Sequence, residues 1–155
     1  MIVVSDTTAL TTLIKAGLES VLQRLFGTVV IPEMVATELR QFHDSIPEWC
    51  EIHYIHEHPL LPVVSQSIDA GEAEAICLAL DLKADVILLD DRKGKREAET
   101  RGLSCLGLPA VLLEAKRQGL ISSLQAALDL LDERGNYRLK AHTREALLRS
   151  VGELG

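Results

Sequence analysis

Five acidic residues, Asp6, Glu38, Glu72, Asp90 and Asp91, have types and spacing that indicate chemistry. Asp6 follows the apolar run 2–4, and Asp90 with Asp91 follows the run 86–89, so each comes where a predicted buried strand ends. Ligands gather beyond the carboxyl ends of parallel strands. Clustered carboxylates suit Mg²⁺ or Mn²⁺ better than zinc or copper. A pair of such ions can activate water and stabilise both oxygens of a phosphodiester displacement.

The two glutamates are expected to reach the same edge. Glu72 lies in the first turn of a predicted helix that leads into the run 86–89, so that helix begins near the carboxyl ends of the strands. Glu38 lies at the margin of the apolar stripe of another predicted helix. Two charges about 4 Å apart repel by roughly 4 kcal/mol at an effective dielectric near 20, so such a cluster needs a counter-charge. For each residue alone, a structural role as a helix cap or dipole partner stays open.

The predicted elements alternate between short strands and helices. Strands are expected near 2–4, 28–31 and 86–89, with weaker candidates at 51–55 and 103–106. This alternation predicts an α/β fold with three α/β/α layers and a central parallel sheet. The whole chain, 1–155, is expected to form a single domain, with 134–155 as a helical C-terminal extension.

Capping residues predict where the helices begin. Thr7 and Thr8 are expected to cap a helix that runs to about residue 15, and Asp69 to cap the helix that carries Glu72. A capping box of Ser122 with Gln125 predicts a later helix through residue 134. The segment 43–68, with three prolines, gives no firm pattern.

Composition limits the classes of protein. The net charge of −7 argues against a protein that holds nucleic acid by positive field alone. No run approaches the roughly 18 apolar residues of a membrane span, and the N-terminus lacks the basic region of a signal peptide, so a cytoplasmic protein is expected. The three cysteines have no paired spacing, which argues against a zinc ribbon or a disulfide framework.

Basic residues follow the last acids directly. Arg92, Lys93 and Lys95 are the predicted contacts to RNA phosphates. The alternative is a solvated helix in which Lys93 and Lys95 pair with Glu97 and Glu99. Aromatic residues are few, so strong single-strand binding by base stacking is not expected.

Other polar groups are assigned simpler roles. Ser5 and Thr7 are expected to act as hydrogen-bond donors that orient Asp6, because no Ser–His–acid arrangement is evident. His53, His56 and His58 lack a frame of cysteines or carboxylates around them, so they predict a surface loop rather than a transition-metal site.

Four segments together resemble the motifs of PIN domains, in the order of that family. They are V-V-S-D-T-T-A-L, P-E-M-V-A-T-E-L-R, D-A-G-E-A-E-A-I-C-L-A and V-I-L-L-D-D-R-K-G-K-R-E-A. The resemblance implies that Asp6, Glu38, Glu72 and Asp91 are the catalytic acids and ligands of Mg²⁺ or Mn²⁺. Asp90 either joins these metal ligands or caps the following helix, because members often carry Ser or Thr at its position. Many members also carry aspartate at the position of Glu72.

The D-x-G-E and D-D-R-K-G-K motifs resemble a prokaryotic, VapC-like branch of the family, as does G-L-P-A-V-L-L-E-A-K-R-Q-G-L-I. That resemblance implies a metal-dependent endoribonuclease, the toxin of a type II toxin–antitoxin pair, held inactive by a small antitoxin. The apolar stretches 124–131 and 146–151 are candidates for an antitoxin or homodimer interface, with core packing equally open for the first. A catalytically silent PIN-like module that binds nucleic acid or protein is the main alternative.

Phosphatases and receiver domains also use aspartates at strand ends. The phosphatase signature needs a second aspartate where Thr8 stands, and a receiver domain carries its acidic pair early in the chain. Both classes are therefore disfavoured.

Overall fold

The structure is a computed structural model that describes residues 1–55 and 57–154. Its described strands are β1 (Val3–Ser5), β2 (Val29–Pro32), β3 (Cys50–His53), β4 (Val86–Leu88) and β5 (Cys105–Leu106). Its described helices are α1 (Thr7–Ala16), α2 (Ser20–Phe26), α3 (Glu33–Phe42), α4 (Leu61–Val64), α5 (Ala70–Leu82), α6 (Arg92–Thr100), α7 (Leu108–Arg117), α8 (Leu124–Glu133) and α9 (Ala141–Ser150).

The five strands form one parallel sheet in the order β3-β2-β1-β4-β5. The chain builds the sheet outward from β1 to β3 and then returns to add β4 on the other side of β1. The strand order therefore reverses between β1 and β4, the point where open α/β sheets form a ligand crevice. The Asp6 amide donates to the Leu88 carbonyl at 3.2 Å, which holds the two strand ends together.

Helices cover both faces of the sheet because alternate strand residues point to opposite sides. Val3 and Leu88 pack into a core formed with α1, α2, α3, α7 and α8, whereas Val4 and Ile87 pack against α4, α5 and α6. These contacts confirm the predicted three-layer α/β/α architecture. The apolar residues of α8 are buried in the first core, so the stretch 124–131 packs within the chain.

Two predicted caps are wrong. Asp6, not Thr7 or Thr8, caps α1, and its Oδ1 accepts from the Ala9 amide at 3.0 Å. An extended backbone at Asp6 leaves Thr7 as the first helical residue. Ser123, one residue beyond the predicted Ser122, caps α8 by accepting from the Ala126 amide at 3.0 Å.

The segment 43–68 contains two elements that were predicted weakly or not at all. The weak candidate near 51–55 is the edge strand β3, which pairs with β2 from Val29 opposite Cys50 to Pro32 opposite His53. The short helix α4 is not evident from the sequence because it has only 4 residues, although Pro62 lies in its first turn, where proline is tolerated.

Candidate active site

Asp6 and Asp90 lie at the reversal of the strand order. Asp6 is 1% exposed, and its Oδ2 is buried with no hydrogen-bond partner in the described part of the chain. Asp90 follows β4 on the neighbouring strand, and its Oδ2 is equally without a partner among the described residues. Buried polar atoms are nearly always satisfied by a partner, a water or an ion. These two oxygens therefore indicate a binding site for a water molecule or an ion.

The beginning of α5 brings two further acids to this edge. Asp69 caps the helix, and its Oδ1 accepts from the Glu72 amide at 2.9 Å. Glu72 is 7% exposed, and within residues 1–55 and 57–154 its Oε2 has no hydrogen-bond partner. Glu38, on α3, extends its carboxylate against Gly71 in the first turn of α5. The structure therefore gathers Asp6, Glu38 and Glu72 around one cavity of about 240 Å³.

Two glycines make room for these carboxylates. A Cβ at Gly71 would collide with Glu38 Oε1, and a Cβ at Gly94 in α6 would lie 2.5 Å from Glu72 Oε2. No real side chain tolerates such contacts without a shift. Sequence reasoning missed both glycines, as well as Asp69 in the acidic group. Their signal was the spacing: each glycine lies two or three residues after a capping aspartate.

Burial and mutual repulsion raise the pKa values of the carboxyl groups in this cluster. Desolvation, then the charges of Asp90, Asp69 and Glu38, raise the pKa of Asp6 to about 7, against an opposing hydrogen bond from Ala9. Desolvation and contact with Asp69 raise the pKa of Glu72 to about 8. Desolvation also raises the pKa of Glu38, while the Thr7 hydroxyl that faces it acts in the opposite direction.

These raised pKa values predict that the metal-free protein loses stability as the pH rises. The folded state binds more protons than the unfolded state between about pH 4 and 8, so the stabilisation is complete below about pH 4 and is lost progressively until the pH exceeds the folded pKa values of about 7 and 8. We expect the free energy of unfolding in chelator, measured with urea, to be lower at pH 8.5 than at pH 5.5. Equal values at the two pH values would contradict the cluster.

Asp90 and Asp91 differ in their exposure and in the groups that they contact. Asp91 is exposed and caps α6, accepting from the Gly94 amide at 2.9 Å, and its charge acts on Glu72. Asp90 is 10% exposed in its side chain and its charge acts on Asp6. The cap of α6 is therefore Asp91, and Asp90 is the carboxylate turned toward the centre of the cluster.

Ser5 and Thr7 contact different groups. Ser5 Oγ, fully buried, donates to the main-chain oxygen of Asp6 at 3.0 Å, so it fixes the backbone rather than the carboxylate. Thr7 Oγ1 lies beside Gly71 and Glu38.

The three predicted phosphate contacts separate onto two sides of α6. Arg92 and Lys95 line a cavity with Asp90 and Tyr137, and Lys95 Nζ is 4.0 Å from Asp90 Oδ1. Lys93 instead borders a shallow groove with Gln66 and Ser67. The alternative pairing of Lys93 with Glu97 is not observed, because Glu97 accepts from Arg101 at 2.6 Å.

The histidines contact nearby acids. His53 Nε2 lies 2.6 Å from Glu51, and His58 Nε2 lies 3.0 Å from Asp81. His56 lies outside the described residues.

The acidic cluster suits a hard divalent cation in its chemistry. Within the described residues, the buried atoms without a hydrogen-bond partner here are carboxylate oxygens, the ligands that Mg²⁺ and Mn²⁺ prefer, together with the hydroxyls of Thr7 and Thr11. Among the residues that the structure describes, no three His, Cys, Asp or Glu side chains are already close enough to share one ion. Repulsion within the cluster works against such an approach, so the carboxylates would rotate inward around a cation.

A family model described as a PIN domain matches residues 2–153. The chain belongs to the PIN domain family. PIN domains are generally nucleases and generally use divalent metals. The matched range ends at residue 153, so it includes nearly all of the C-terminal extension 134–155. No curated protein matches the chain.

None of the described helices is long and apolar enough to cross a membrane.

Proposed function

We propose that this PIN domain is a Mg²⁺- or Mn²⁺-dependent endoribonuclease that hydrolyses RNA phosphodiester bonds. The observation that carries the proposal is the set of carboxylate oxygens of Asp6, Glu72 and Asp90 near the reversal of the sheet, which are buried and have no hydrogen-bond partner among the described residues. Such a set is costly unless a cation or proton compensates it. A nuclease accounts for that cost, because the same cation serves the reaction.

Asp6, Glu38, Glu72 and Asp91 are the proposed catalytic acids, with Asp90 as a further metal ligand. When bound, the divalent cation lowers the pKa of a water and offsets charge on the phosphodiester. The chain fixes the acids through the starts of α1, α5 and α6, whose capping aspartates Asp6, Asp69 and Asp91 lock the first turns.

Basic side chains supply the attraction for the phosphate chain. Arg92 and Lys95 stand beside Asp90, next to the acids but not buried among them. This arrangement lets an acidic protein hold RNA locally, since the repulsion from a net charge of −7 is screened over about 8 Å at physiological salt. Lys93, on the other side of α6, would contact a more distant phosphate.

The test is cleavage of a structured RNA pool by the purified protein with Mn²⁺, Mg²⁺ or chelator. We expect cleavage with either ion and none in chelator, together with a rise in melting temperature on Mn²⁺ addition. Cleavage that persists in chelator would reject metal dependence. No cleavage and no Mn²⁺ effect on melting would reject the nuclease and favour the silent binding module.

We also propose that the protein is the toxin of a type II toxin–antitoxin pair, with a small antitoxin as its partner, and that it forms a homodimer. The support for the toxin role is the resemblance of the D-x-G-E and D-D-R-K-G-K motifs to VapC-like proteins, and the homodimer rests on the apolar stretch 146–151 as a candidate interface. Induced expression should then arrest bacterial growth, and light scattering should give a dimeric mass. Normal growth under induction of active protein would reject the toxin role.

A further inference from the structure

Two cavities flank the buried acids, and each carries an aromatic ring and basic side chains. The first, of about 240 Å³, contains Asp6 and has Phe42 and Lys15 in its lining. The second, of about 680 Å³, contains Asp90 and has Tyr137 in its lining. Asp6 and Asp90 lie close enough for the charge of Asp90 to raise the pKa of Asp6. Asp6 and Asp90 also follow the paired strands β1 and β4, where the Asp6 amide donates to the Leu88 carbonyl at 3.2 Å, so the two cavities lie on either side of the proposed centre of cleavage.

Phe42 is a large apolar side chain left in water. It ends α3 and is 65% exposed, whereas Leu39, one turn earlier, is 1% exposed. Burial of a phenylalanine side chain stabilises a fold by roughly 1.5–3 kcal/mol. Because the Phe42 ring stays exposed, it contributes little of this stabilisation to the core. Its place beside the acids, with Lys15 in the same lining, gives it a surface on which a base can stack.

Tyr137 reaches the other cavity from the segment between α8 and α9. Its amide donates to the Leu131 carbonyl at 2.9 Å, and its ring packs partly against the core, so its position is fixed. Its hydroxyl faces Asp90, and burial together with that carboxylate raises the pKa of Tyr137. The cavity beside the ring also contains three cations, Arg92, Lys95 and Arg96.

We propose that the two cavities hold the nucleotides on either side of the cleaved bond of a single-stranded RNA, with Phe42 and Tyr137 as stacking surfaces. This inference rests on the proposed ribonuclease function. Lys15 contacts the backbone on one side and Arg92 with Lys95 on the other. Aromatic rings flanked by cations are the usual means of holding unpaired nucleotides, and a duplex keeps its bases stacked inside.

The sizes of the cavities make the two sides unequal. The Tyr137 cavity falls within the roughly 300–1,000 Å³ of small-molecule sites and has room for a whole nucleotide. The Phe42 cavity is smaller, so the base on that side stacks on the exposed ring rather than entering a pocket. Two aromatic rings position the bases but do not by themselves give high affinity for RNA, which agrees with the few aromatic residues of the chain.

The test measures RNA binding in the Asp6→Asn background, in which cleavage is suppressed. Fluorescence anisotropy with Mg²⁺ would follow fluorescein-labelled oligo(A) and, separately, a labelled blunt-ended RNA duplex that has no unpaired nucleotides. Phe42→Ala, Tyr137→Ala and Tyr137→Phe would be compared with Tyr54→Ala, whose exposed ring lines neither cavity. Circular dichroism would establish that each variant is folded.

We expect Phe42→Ala and Tyr137→Ala each to weaken oligo(A) binding at least about fivefold. Tyr137→Phe, which keeps the ring, and Tyr54→Ala should stay within about twofold, and duplex binding should not change. Unchanged oligo(A) binding by both alanine variants, equal weakening for duplex and oligo(A), or no binding of oligo(A) by the parent would overturn the inference.

The outcome separates this inference from the nuclease proposal. Metal-dependent cleavage by the wild type with unchanged oligo(A) binding in the alanine variants would reject the stacking surfaces alone. Selective loss of oligo(A) binding without any cleavage by the wild type would reject the nuclease and retain the single-strand site.

Discussion

The Asp6→Asn variant is expected to lose RNA cleavage and to gain stability in the metal-free state. Asp6 is buried among Glu38, Asp69 and Asp90, and its pKa is raised to about 7, so its charge opposes folding. Asparagine keeps the shape and can still accept from the Ala9 amide, so α1 retains its cap. The substitution therefore changes a proposed metal ligand without removing a structural contact.

We expect the rate of cleavage to fall by on the order of 100- to 1,000-fold, as for the loss of one charge-stabilising group in other active sites. At pH 8, in chelator, the midpoint of urea unfolding should rise. Asp132→Asn is the matched control, because Asp132 lies on α8 and pairs with the exposed Arg138. Retained cleavage, or a fall in stability like that of a lost core contact, would show that Asp6 is only a structural cap.

Gly94→Ala is expected to reduce cleavage by about 10- to 100-fold, the usual effect of disturbing the surroundings of a metal ligand. The added Cβ would lie 2.5 Å from Glu72 Oε2, the end of a flexible side chain, so the carboxylate must move. Contacts at 3.2 Å with Leu89 add strain, whereas alanine favours the helix by about 0.5–1 kcal/mol over glycine. These opposed effects leave the stability within about 1 kcal/mol of the wild type.

The matched measurement is a double-mutant cycle with Glu72→Asp. The shorter side chain of aspartate leaves space for the new Cβ, so the double variant should lose less activity than the two single losses combined. Cleavage rates, the melting temperature and Mn²⁺-dependent stabilisation would be measured for all four proteins. Additive losses of activity, or full activity in Gly94→Ala, would show that Gly94 does not influence the position of the Glu72 side chain.

The parts of the fold that sequence predicted best have strong local causes. The apolar runs 2–4 and 86–89 are rich in β-branched residues, and they form most of the central parallel strands β1 and β4. The helix after Asp69 was predicted from its apolar period and its cap, and α5 begins at Ala70 as expected. Such elements are specified by neighbours within one or two turns, so the sequence itself contains the information.

Other parts depend on distant contacts. β3 is a strand because β2 offers an edge with which it pairs. The sequence around Cys50, with three histidines nearby, predicts this strand only weakly. Asp6 caps α1 because pairing with β4 extends the backbone as far as the Asp6 amide. Lys93 and Lys95 separate because residues two apart on a helix do not share a face, whereas the packing of α6 against α5 and β5 decides which cavity each one lines.

The sequence by itself determined an α/β domain and the acidic residues that follow its strands, because strand ends and helix caps are local features. The tertiary structure decided which carboxylates face one another. It turned Asp90 inward and made Asp91 a cap, and it placed Gly71 and Gly94 where a Cβ would strike a carboxylate. Those relations join residues on different strands and helices, so they exist only once the order β3-β2-β1-β4-β5 has formed.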